Sequence, residues 1–415
     1  MGLEFFKKSR ESLFLTAIFF LPIYQKINHW FFGGFLVVSF LIFFLDKNSR
    51  PASKKTIFLL TAIALFFLIQ VFGLFHTSDL SYAIKKATRA LPFLLYPLAI
   101  ISFKGSINFK LFERRTFYAL TFGCLTAAFI CWTNISLSTN DRGLPENTFF
   151  GWKKSGIYLT QILDQHPPYL GLLIIAAILF IFKELMDNSK IKSKSKYLHI
   201  IFAVILLLFL FNITARNALF FLMFIVFVYL IYKRMWKLLM VQLLIGLIAT
   251  FIVIKHPSQY YRLKLYYMLG LSDKPIEDQR FSRLTASYEV FKMSPIIGVG
   301  PGNDIDLKVK QYALMNDDIA VDNRFNSHNQ LFEYLAAYGL IGGFIFIGVN
   351  GLLIVFLFKE KQYYYLILLL GFLVSTVTES TFERVLGIQY YCIIVSLGIL
   401  ATISPNDQKN LKVKI

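Results

Sequence analysis

FNSHNQLFEYLAAYGLIGG, residues 325–343, is the point where the chain changes solvent. Upstream lies its longest polar stretch. Downstream it stays apolar until Lys359. A run of that length matches a hydrocarbon core of roughly 30 Å. Similar runs recur from end to end: 56% of the 415 residues are hydrophobic and 45 are Phe. They lack the period-two alternation of a membrane barrel. The fold class is therefore all-α, a polytopic helical membrane protein.

Twelve spans are expected, near 12–28, 30–45, 56–75, 89–102, 116–137, 167–182, 198–213, 217–232, 237–254, 329–358, 362–378 and 385–402. The tenth is long enough for a tilted helix, or for a short surface turn leading into a helix. The first run lacks a small-residue cleavage site and reads as an uncleaved helix.

An even number of spans puts both termini on one side. The segments on that side hold 24 Lys+Arg and 8 Asp+Glu; the other side holds 19 and 16. The net charge of +19 is thus a topology signal. Basic loops stay in the cytoplasm, which argues against a nucleic-acid partner. Loop 183–197 (KELMDNSKIKSKSKY) is the clearest case. Cys124, Cys131 and Cys392 fall within spans five and twelve and read as small packing residues. The expected division is 1–254 for spans one to nine, 255–328 for a long outer loop, and 329–415 for spans ten to twelve with a tail.

Polar material collects in the outer segments 76–88, 138–166 and 255–328. The last is far longer than a connection requires. Within it, QYYRLKLYYML (259–269) has the pattern of a helix lying in the headgroup layer. RFSRLTASYEVFK (280–292) reads as a helix with Leu284, Tyr288 and Phe291 on its apolar face. PIIGVGPGN (295–303) reads as a turn, and 303–318 as a third helix. Intramembrane charge is nearly absent, whereas a pump or coupled transporter usually needs it near the midplane. Chemistry at the outer surface fits better than transport.

Several side chains could carry that chemistry. His328 opens span ten, and a histidine there is either a solvated bystander or a base near neutral pH. Arg216 opens span eight and either snorkels or binds an anion. Arg280 lies in the long loop, with Arg283 one turn on along the same face. A histidine can take a proton from a sugar hydroxyl. Two guanidiniums can hold a diphosphate through forked hydrogen bonds as it leaves. GVGPGN could cradle phosphate, or simply turn the chain. Asp304 and Asp306 form a D-x-D pair, either a metal site or helix-start carboxylates. His166 in QHPPYLG suits a helix start and could face the same cavity. Lys85, Lys86 and Arg89 form an outer basic patch, fit for anionic lipid, diphosphate or interfacial anchoring. Glu379, Glu383 and Arg384 read as a surface ion-pair cluster.

In order, these features resemble the signature of the O-antigen ligase and polymerase superfamily. Arg280 precedes an amphipathic helix. Then come P-x-x-G-x-G-x-G (Pro295, Gly298, Gly300, Gly302), His328-Asn329, and Gly-Leu-x-Gly (Gly339, Leu340, Gly342). Thr214-Ala215-Arg216 resembles the family's Ser-Arg, with Ala for Ser. Leu284 stands where the family often has Trp. The spacing from Pro295 favours Arg280 over Arg283 as the loop arginine. The resemblance implies a membrane glycosyltransferase of the GT-C type, inverting and metal-independent, with no cofactor. Its donor would be a glycan on undecaprenyl diphosphate, and its acceptor the lipid A core, at the periplasmic face of the inner membrane. His328 would be the base, Arg216 with Arg280 or Arg283 the diphosphate ligands, and Asn329, His166, Arg89 and Lys86 secondary candidates; Leu284 in place of Trp leaves both loop arginines in play. Rival readings are an O-antigen or exopolysaccharide polymerase with the same donor, a protein O-oligosaccharyltransferase, and a lipid-linked-oligosaccharide transporter. The short stretch after span twelve fits the protein-modifying reading less well.

Overall fold

The computed structural model describes residues 2–50, 53–137, 156–187, 193–255 and 279–404. Side chains of residues 48, 187, 193–194, 245, 248–255 and 279–280 lie outside that description. So does the expected headgroup helix at 259–269. In chain order the helices are α1 (Gly2–Phe20), α2 (Gln25–Leu45), α3 (Lys54–Gly73), α4 (Leu80–Ala90), α5 (Pro92–Ile101) and α6 (Phe109–Leu137). Then follow α7 (Gly156–Thr160), α8 (Pro167–Asp187), α9 (Ser193–Asn212), α10 (Arg216–Tyr232) and α11 (Trp236–Lys255). The last group is α12 (Gln279–Met293), α13 (Asn303–Leu314), α14 (Asp318–Asn323), α15 (Gln330–Lys359), α16 (Tyr363–Thr376) and α17 (Val385–Ile403). No strand occurs among the described residues.

Every expected span overlaps a helix. Among the described residues, seven helices are long and apolar enough to cross a membrane: α2, α3, α6, α8, α9, α15 and α17. Helices α10 and α16 are apolar but shorter. The apolar runs produce these helices because every backbone amide must find its partner inside the segment. The most buried is α17, with 89% of its apolar window inside the bundle. The three cysteines are free and buried, as packing residues should be.

Two boundaries and one helix face differ from the sequence reading. The run 12–28 is broken between α1 and α2, where the chain turns at residues 21–24. Polar segment 76–88 is mostly helix α4, whose first turn is capped by Asp79 accepting from Tyr82 N–H at 3.0 Å. It runs almost straight into α5, and Pro92, lacking an N–H, interrupts the ladder between them. In α12 the buried face is Arg283, Ala286, Ser287 and Val290, whereas Tyr288 is exposed. Small residues line that face because α12 packs close against its neighbours; the Ser287 hydroxyl bonds that of Ser327 at 2.7 Å.

The tenth span settles as a surface turn of helix leading into a crossing helix. Gly339 has φ 61°, ψ −155°, so α15 is two helices meeting at a break. A break frees backbone groups, and the glycine-rich loop takes them up. Val299 and Gly300 donate to the carbonyls of Ala336 and Ala337 at 3.1 and 3.0 Å. Leu340 and Ile341 donate to Pro295 and Ile296 at 2.8 and 3.3 Å. Backbones this close leave no room for side chains: a Cβ on Gly298 would sit 2.3 Å from Ala337, and one on Gly339 2.4 Å from Ile296. Two further amides of the loop are engaged, Gly298 with Ser294 O and Gly302 with Asp304 Oδ1. The loop is therefore a clamp on a broken helix, not a phosphate cradle.

Ion pairs fix which segments share an end of the bundle. Lys7 meets Asp46 at 2.9 Å, Arg115 meets Glu11 at 2.8 Å, and Lys183 meets Glu113 at 2.9 Å. Lys55 pairs with Glu360. The described parts of segments 1–11, 46–55, 103–115 and 359–361, with Lys183, thus gather at one end. Segments 76–88, 156–166, 295–329 and 377–384 meet at the other.

Candidate functional site

At that second end two cavities adjoin, of about 390 and 570 Å³. Arg89, His166, Tyr169, Glu383 and Arg384 line both. His328 stands in the wall of the smaller one, with φ 47°. A non-glycine residue in that region stores strain and must be held by its surroundings.

The hold is visible on both sides. Ser327 donates its N–H and its hydroxyl to Glu333 Oε2 at 2.9 and 2.6 Å. Asn329 caps α15, accepting from Phe332 N–H at 3.1 Å, and donates to Val377 O at 2.9 Å. The His328 N–H donates to Asn326 Oδ1 at 3.1 Å. The imidazole Nδ1 lies 3.3 Å from Glu379 Oε2.

Glu333 belongs to a buried chain of charges. Lys308 Nζ is 3.0 Å from Glu333 Oε1 and 2.9 Å from Asp304 Oδ2. Lys86 Nζ is 2.9 Å from Glu383 and 4.0 Å from Glu333. Burial alone would lower both ammonium pKa values. Surrounding acidic groups, Asp304 and Glu333 for Lys308 and chiefly Glu383 for Lys86, outweigh it and raise them above the ordinary lysine value. Both lysines stay charged and are committed to protein partners. Burial, and then Glu383, push the Tyr82 phenol at the cavity up to about 12, so it stays protonated.

The remaining candidates fall out as follows. Arg89 lines both cavities and donates to Glu383 O at 2.8 Å. Lys86 points inward, so the basic patch is split. His166 faces the His328 cavity, and Pro167 and Pro168 do begin a helix there. Its pKa is lowered, first by burial, with Arg384 and His328 adding and Glu379 opposing. Arg216 opens α10 on the surface outside the cavity lining; its neighbour Asn217 bonds Thr378, next to Glu379. Arg283 is buried, with its guanidinium 4.0 Å over the Phe325 ring, and Phe325 is in the cavity wall. Arg280 opens α12, and its side chain lies outside those described.

Two readings are corrected. Asp304 and Asp306 do stand in the first turn of α13, as helix-start carboxylates, but not as a free pair: Asp304 is buried on Lys308, and Asp306 pairs with Arg324. No group of three or more His, Cys, Asp or Glu converges on a metal position among the described residues. The expected surface cluster of Glu379, Glu383 and Arg384 is instead part of the cavity: Glu379 faces His328, Glu383 holds Lys86, and Arg384 lines both chambers. Its segment read as local in sequence because its partners lie 51 to 297 positions away.

Residues 201–347 match the model of a family described as O-antigen ligase. The match encloses Arg216, Arg280, Arg283 and His328, while Arg89, His166 and Glu379 lie outside it. It supports the O-antigen ligase and polymerase superfamily that the signature resembles, and a ligase- or polymerase-type enzyme in a multi-pass membrane setting. No curated protein matches the chain.

Proposed function

From that family match as premise, we propose that the protein is an O-antigen ligase. It transfers a glycan from undecaprenyl diphosphate to the lipid A core oligosaccharide, with inversion. The cavity end faces the periplasm, both termini face the cytoplasm, and the membrane is the bacterial inner one. The observation that carries the reading is His328 itself, held in a strained backbone in a cavity wall with Nδ1 toward Glu379.

In this mechanism Nε2 of His328 removes the proton from the acceptor hydroxyl. The hydroxyl oxygen attacks the anomeric carbon, the bond to the diphosphate oxygen breaks, and the diphosphate leaves with the electron pair. Glu379 offsets the charge gained by the imidazole. Arg216 and Arg280 hold the diphosphate, and Arg89 and Arg384 add positive charge beside it. Both substrates are confined to one plane, so placing them together supplies much of the acceleration. The divisions 1–254, 255–328 and 329–415 then correspond to scaffold, outer loop and closing helices.

Deleting the gene and resolving the cell's glycolipids tests this directly. Long polymer accumulating on undecaprenyl diphosphate beside a bare core is the expected result. A core capped by one repeat, with no long polymer, would instead make the protein a polymerase using the same donor.

A further inference from the structure

Apart from Arg89 and Arg384, the lining of the larger cavity has no role in that mechanism, yet it is specific. Gln161, Asp164 and Gln165 come from the turn before α8, Gln25 from the start of α2, and Tyr158 and Tyr169 from α7 and α8. Three amides, a carboxylate and two phenols offer both donors and acceptors with little net charge. Gln165 is 3% exposed, and its Oε1 has no hydrogen-bond partner, while Nε2 reaches Leu21 O at 3.4 Å. A buried acceptor left open is uncommon and asks for a donor. Asp164, with φ 53°, closes the short turn Gln161–Leu163 by donating its N–H to Gln161 O, which sets its place in the chamber wall.

We propose that this chamber is a saccharide subsite, in which Gln161, Asp164 and Gln165 recognise sugar hydroxyl groups. Amides and carboxylates suit hydroxyls because each can exchange two bonds with one sugar. The chamber shares Arg89, His166 and Arg384 with the His328 cavity, so a sugar chain seated in it ends beside the base. Its volume falls within the range of small-molecule sites. The inference rests on the glycosyl-transfer reading and deepens it. The sugars belong either to the donor glycan or to the acceptor.

The test uses the full chain in detergent or nanodiscs, with purified donor and acceptor varied separately. Gln161→Ala and Asp164→Gly, the latter suited to the left-handed backbone, are compared with the parent protein. Gln25→Ala, on a different helix, is the second probe should the turn variants fail to fold. A KM raised roughly tenfold, the effect of one or two lost hydrogen bonds, with kcat within about twofold, is expected. A rise for donor places the donor glycan in the chamber; a rise for acceptor places the acceptor there. Unchanged KM for both substrates, at any kcat, overturns the subsite. Its failure is distinct from that of the parent reading, which falls if His328→Ala still transfers.

Discussion

Two sets of ion pairs, at opposite ends of the bundle, use charge in opposite ways. At the basic end, pairs such as Arg115–Glu11 and Lys55–Glu360 join neighbouring segments in the open; Arg115 and Lys55 are 53% and 60% exposed. At the cavity end, Lys308 with Asp304 and Glu333 is fully sealed, and Lys86 with Glu383 nearly so. An exposed pair is worth little, because water already solvates both partners. A buried one is weak evidence for stability as a pair, yet removing one partner strands the other. The exposed pairs at the basic end therefore add little beyond joining neighbouring segments. The cavity end spends its charges on holding a backbone, that of Ser327 and His328, in one place.

The difference can be broken experimentally. His328→Ala should cut transfer by roughly 10²–10⁴, the usual worth of a positioned base, whereas Arg115→Ala at the opposite end should leave it near the parent rate. Steady-state transfer assays on inserted protein decide it, and equal losses would erase the distinction. Glu333→Ala should destabilise the protein by about 3–5 kcal/mol, leaving Lys308 with one carboxylate fewer and Ser327 unheld. Thermal unfolding in detergent measures this, with Glu333→Gln as the milder control. Gly298→Ala should lose a comparable amount, about 1–3 kcal/mol for the strained conformation plus the clash at Ala337. A normal melting temperature would mean the clamp is looser than described. Glu360→Ala at the basic end should cost under about 1 kcal/mol.

The smallest effect is one of pH. His166 has a pKa below its usual 6.5 when folded. The unfolded chain therefore binds more protons just below pH 6.5, and stability falls as pH drops through that window. Above it His166 contributes nothing. His166→Gln should flatten this part of the stability profile, and an unchanged slope would discount the buried environment of the imidazole.

Much of this was legible in the sequence, and the failures share a cause. Apolar runs announce helices, and loop charge sorts them by end, because both are local properties summed along the chain. That His328 sits where the polar loop meets the tenth span was legible from the change of composition and from the signature around it. The break at Gly339 was not placed, because apolar composition runs through it unchanged from Leu335 to Phe358, apart from Asn350 and the glycines. The clamp on it needs two segments about forty residues apart. Glu379 and Glu383 read as surface groups because TESTFER shows only its immediate neighbours, whereas Glu383 is closed over by Lys86 from α4. The face of α12 was misjudged for the same reason: large apolar residues suggested burial, but close packing selected Ala286 and Ser287.

The break at Gly339 also bears on what holds the imidazole in place. Below it, Leu340 to Lys359 is about 30 Å of helix at 1.5 Å per residue, packed into the bundle along Phe346, Val349, Leu353 and Leu357. Above it, the segment carrying His328 is tied by residues 295–300, and Pro301 is in turn bonded by Thr77 at the end of α3. The two halves of α15 are thus anchored separately, the lower by the bundle and the upper by the glycine-rich loop, so the position of the imidazole is set by residues 295–301 rather than by the long helix beneath it.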